Sequence, residues 1–124
     1  MKKLVLAVAV SVFSTGSFAT CSNADLSGTW SFYTNLAAAY APTAVICTLK
    51  IPAKGTILQN STCSYNGALP EPQQVTLSVD KNCHVTGILG SSTTLDGYIS
   101  KGKDSLGGFV VYDGDSTLFV ANKL

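Results

Sequence analysis

The chain has 124 residues, of which only 12% are charged: eight Lys, no Arg, and seven Asp plus Glu. That length fits one small domain and excludes a doubly wound enzyme with a second domain. The near-balanced charge, with no basic stripe and no Arg fork for phosphate, argues against nucleic-acid binding.

The first nineteen residues read as a secretory signal peptide. Lys2 and Lys3 form a charged start, Leu4 to Phe13 an apolar run broken only by Ser11, and Ser17-Phe18-Ala19 a small-residue cleavage site. The run is about ten residues, half of what a membrane span needs. A lipoprotein signal would put Gly or Ala just before its Cys, but Thr20 precedes Cys21. The domain is therefore expected over 20–124. There six Lys face seven acids, a formal charge of −1. The Met-Lys-Lys start resembles a bacterial export signal, so periplasm, cell surface or medium is expected.

Short β-rich runs then alternate with turn signals. Strands are predicted over Thr29–Thr34, Ala44–Ile51, Thr56–Tyr65, Val75–Val79, Val85–Leu89, Thr94–Ser100, Phe109–Tyr112 and Leu118–Ala121. Between the first two, Leu36-Ala37-Ala38-Ala39-Tyr40 offers one helical turn that Pro42 would stop. Eight strands with mostly short turns predict an all-β antiparallel meander that closes as a small barrel, since closure removes aggregation-prone edges.

Four Cys at 21, 47, 63 and 83 in an exported small domain predict two disulfides. Their spacing has no close pair of the zinc-site kind. In a meander, Cys21 and the turn holding Cys83 fall at one end, and Cys47 and Cys63 lie toward the other. The expected bridges are Cys21–Cys83 and Cys47–Cys63. The second requires a hairpin centred near Gly55.

Gly28-Thr29-Trp30, opening the first strand of a small exported barrel, resembles the calycin group: lipocalins, avidins and bacterial periplasmic protease inhibitors. Ile46-Cys47-Thr48-Leu49, with another Cys one strand later, is similar to the inhibitor branch. The resemblance implies that Trp30 packs across the closed end of the barrel. A C-terminal lipocalin Arg and the several Trp of an avidin site have no counterpart here.

Catalytic constellations find little support. His84 is the sole His. Ser78-Val79-Asp80-Lys81 spells S-x-x-K on a strand end rather than on a helix. The stretch from Gly97 to Asp104 fails the phosphate-loop pattern at its last position, and Asp113-Gly114-Asp115-Ser116 reads as a hairpin turn before a Ca²⁺ loop. No cofactor or metal is expected. The expected function is non-enzymatic binding, of a small apolar ligand in the barrel or of a protein partner through the loops, inhibition included. Trp30 and the loop residues Leu36, Tyr40, Leu69 and Pro70 are the candidate contacts. The four loop residues come from the two connections expected to be longest, Asn35 to Thr43 and Asn66 to Gln74. The alternative is a structural cell-surface, matrix or pilus-associated subunit.

Overall fold

The computed structural model describes residues 20–38, 41–52 and 57–124. Eight strands follow one 3-10 turn (Asn23–Leu26): β1 (Gly28–Ala38), β2 (Ala41–Ile51), β3 (Ile57–Tyr65), β4 (Glu71–Val79), β5 (His84–Leu89), β6 (Thr93–Ile99), β7 (Ser105–Tyr112) and β8 (Asp115–Lys123). Each pairs antiparallel with its sequence neighbours, and β8 returns to β1, closing the barrel. The all-β, eight-stranded meander with two disulfides is thus the observed architecture. It is consistent with a calycin-like fold.

Period-two patterning drives it. On β4, Val75 and Leu77 are buried while Thr76 and Ser78 lie further out; on β6, Leu95, Gly97 and Ile99 point inward. The first connection departs from expectation. Leu36 to Ala38 continue β1 and pair with Thr43 to Ala41, so the helical turn is absent there and the expected long loop is a hairpin arm. Good helix propensity over three residues is weak against a cross-strand ladder eleven pairs long. Pro42 is tolerated because β2 meets β3 only from Val45 onward, leaving its other side unpaired at that height. Ala39 and Tyr40 lie outside the described residues, as does the leader at 1–19. The second connection is also shorter than expected, since β4 begins at Glu71.

The interior is packed with the chain's own side chains. Phe32 and Phe119 stack at 5.2 Å between centroids. Facing them, Gly97 and Gly108 sit opposite one another on β6 and β7. A Cβ on Gly97 would run into the Gly107 carbonyl and the Phe119 ring, so glycine there lets the ring fill the barrel. Thr34, fully buried, donates its hydroxyl hydrogen bond to the Leu118 carbonyl at 2.8 Å. Ser61 Oγ accepts from the Lys50 N–H at 3.1 Å, beyond the point where the β2–β3 ladder ends.

Both expected disulfides form. Cys47 and Cys63 are direct cross-strand partners, which puts the hairpin centre at position 55. Both point into the barrel. Cys21–Cys83 ties the chain before β1 to the β4–β5 turn.

That end, the base, is sealed. Trp30 is 1% exposed, and its indole N–H donates to the Leu26 carbonyl at 2.8 Å. Gly28 adopts φ 123°, a conformation side chains rarely accept, which brings the 3-10 turn back over the barrel end. Lys123 Nζ lies 5.1 Å over the indole and donates to the Asp25 carbonyl. Lys103 Nζ binds the Asp25 carboxylate at 3.1 Å and the Thr20 carbonyl at 3.1 Å. The backbone N–H of Ser22, together with Lys103, holds the Asp25 carboxyl below the usual carboxylate value.

Candidate functional site

The opposite end, the mouth, is built from the β1–β2 hairpin and the turns at 66–70, 90–92 and 113–114. Asn66-Gly67 and Asp113-Gly114 both have positive φ at two successive residues, the geometry that asparagine, aspartate and glycine supply in tight hairpins. The 66–70 turn is tied down. Asn66 donates its N–H to the Ala44 carbonyl and accepts the Ala44 N–H on Oδ1, while the Ser64 hydroxyl donates to the Ala68 carbonyl at 2.6 Å.

Within this rim lies a depression of about 350 Å³. Its walls include Leu36, Tyr65, Gln73, Leu89, Thr93 and Tyr112. Beneath it a fissure of about 40 Å³ reaches Thr34, Val45 and the Cys47–Cys63 bridge. The lining carries hydroxyls and an amide over an apolar floor and no formal charge. Burial is the main cause raising the Tyr65 phenol above its ordinary value, with Glu71 and Tyr112 adding to it. Tyr65 therefore stays a neutral donor and acceptor at physiological pH. Such a site can bind and orient a group the size of one ring or a short aliphatic chain. Among its described lining residues there is no acid–base pair.

The candidate residues divide between the two ends. Leu36 lines the depression. Leu69, 87% exposed, and Pro70, also exposed, stand on the rim turn. Tyr40 lies outside the described residues. Trp30 is at the base, sealed from solvent, and is not brought together with the others. The wall residues Tyr65, Gln73, Thr93 and Tyr112 had a readable signal. Each lies two positions beyond a buried residue toward the mouth: Cys63, Val75, Leu95 and Val110. Extending the inward alternation one step past the core would have found all four.

Charge is distributed along the barrel axis. Among the described residues, Lys50, Lys81, Lys101, Lys103 and Lys123 all lie at the base end, with Asp25, Asp80 and Asp104. The mouth end has Glu71, Asp113 and Asp115 and no Lys. His84 lies on the outer wall. Its Nε2 is 2.8 Å from Asp96 Oδ1, its Nδ1 is 4.0 Å from Asp80 Oδ2, and its ring stacks on Tyr98 at 5.0 Å. Among the described residues no cluster of His, Cys, Asp and Glu is arranged to hold a metal ion, and no helix is long and apolar enough to cross a membrane.

No family model matches the chain, no curated protein matches it, and no solved structure matches it.

Proposed function

We propose that this is an exported, non-enzymatic binding protein that receives one apolar or aromatic group in the barrel mouth. The observation that carries the reading is the neutral, partly apolar depression with its own hydroxyls and amide at the rim. The two disulfides suit an oxidising compartment, which agrees with export. Among the described residues, Phe32, Phe119 and the Cys47–Cys63 bridge fill the interior below the mouth, which favours the mouth over a deep cup of the lipocalin kind. The mouth suits a small ligand or a single side chain of a partner protein. His84 supports a structural role rather than catalysis, since it is held between two carboxylates on a convex wall. Assembly by strand addition, as in pili, is disfavoured because every strand of the closed barrel already has a neighbour on each side over part of its length.

Native mass spectrometry of the protein from its producing cells tests the reading. The expected result is a non-covalent mass excess, or a defined hetero-complex, that Thr93→Trp abolishes without lowering the melting temperature. A bare chain, or a complex indifferent to Thr93→Trp, overturns it.

A further inference from the structure

The outer wall carries a feature that mouth binding does not use. Six large apolar side chains, Tyr33, Ile46, Tyr98, Phe109, Leu118 and Val120, are between 46% and 69% exposed. The strand register makes them one patch. Ile46 pairs with Tyr33, Tyr33 with Val120, Val120 with Gly107, and Gly107 with Tyr98, a continuous row across β2, β1, β8, β7 and β6. Phe109 and Leu118 are cross-strand partners one step nearer the mouth. Gly107, lacking a side chain, leaves a groove between Tyr98 and Val120. The open area of the six is on the order of 700 Å², above the roughly 300–600 Å² of the largest patch on a typical monomer. It approaches the ~800 Å² that each partner gives to a standard stable interface.

We propose that this face is a homodimer interface in which a second copy of the chain packs antiparallel, mouth beside base. The area favours a second folded copy over a short peptide. Charge sets the orientation. Asp113, in the β7–β8 turn, stands at the mouth end of the patch, while at the base end Lys50 follows Ile46 along the outer face of β2 and the β6–β7 turn carries Lys101 and Lys103 against one acid, Asp104. A two-fold axis perpendicular to the barrel brings each acidic turn toward the other copy's lysines at both ends of the contact. A parallel pair would put acid beside acid. The dimer would present two mouths facing opposite ways, so it is bivalent without either site being covered.

The experiment is sedimentation analysis of the disulfide-intact protein, expressed from the full 124-residue sequence, with four variants. Gly107→Lys and Leu118→Lys put a charge in the contact. At Gly107 an added Cβ would meet only the Phe119 carbonyl, at an ordinary 3.7 Å, so the barrel tolerates it. The expected result is a dimeric native chain whose dissociation constant rises by on the order of 30-fold or more in each variant, at unchanged melting temperature of the monomer. Asp113→Lys is expected to weaken the dimer, and adding Lys101→Asp to restore it. A native chain that stays monomeric at the highest soluble concentration overturns the proposal. So does a dimer indifferent to both patch variants, or a patch that holds a different protein in place of a second copy. Failure of the charge swap with intact patch effects overturns the antiparallel arrangement.

Discussion

The two ends of this barrel share one continuous strand ladder and differ in what closes them. At the base, the chain before β1 folds back as a 3-10 turn, and Trp30, Leu26 and the Asp25–Lys103–Lys123 clasp complete a dry plug. At the mouth, the described residues at the last inward positions include Gln73, Thr93, Tyr65 and Tyr112 beside Leu36 and Leu89. The backbone treats both ends alike. The difference lies in whether a covering segment exists and in the polarity of the final inward step. Stability is therefore expected to concentrate at the base and recognition at the mouth.

The strongest way to break that contrast is through the disulfides, one at each end. Removing Cys21–Cys83, which spans 62 residues, is expected to cost about 4 kcal/mol, and removing Cys47–Cys63, which spans 16, about 3 kcal/mol by loop-closure entropy. Chemical denaturation of the two double-Ala variants would measure both. A reversed order would mean that the mouth bridge, fully inside the barrel, matters more for packing than its loop length implies. Trp30→Ala is next, at roughly 3–5 kcal/mol for a buried large aromatic. If its denaturation midpoint equals that of the native chain, the base is not the sealed end.

A smaller effect sharpens the picture of the clasp. Asp25 has its pKa lowered on folding from 3.8, so its stabilising contribution is present above that value and fades as pH falls through the lower folded value. Asp25→Asn should cost about 0.5–1 kcal/mol at neutral pH and flatten this part of the acid-stability profile. A variant that keeps the native slope would place the acid sensitivity elsewhere. Least of all, Leu69→Ser on the mouth rim should change stability by less than about 0.5 kcal/mol, since little is buried there. A larger loss would show that the rim turn is packed in solution. Loss of a bound group at native stability would place Leu69 in the contact.

Parts of this arrangement were legible in advance. The alternation Val75-Leu77-Val79 and the turn Asp113-Gly114 marked a strand and a hairpin because side-chain period and left-handed turn geometry are local properties. Once the meander was assumed, parity of strand direction placed Cys21 with Cys83 and Cys47 with Cys63. The hairpin arm over Leu36–Ala38 was not legible, because an alanine-rich stretch carries no alternation and its conformation is set by the opposite strand. The mouth lining was half legible. Polar residues at inward positions look like solvent-facing ones until the alternation is counted outward from the core.

The sequence by itself determined the strand alternation, the turn positions, the disulfide pairing under a meander, and the low charge, since each depends on residue type and spacing along the chain. Only the tertiary structure decided which of the described side chains fill the interior, that the chain before β1 plugs the base, and that six outer-wall apolar residues adjoin one another. Those properties arise from cross-strand register. Tyr33 and Val120 are 87 positions apart in the chain and direct neighbours on the barrel, and no local pattern encodes that adjacency.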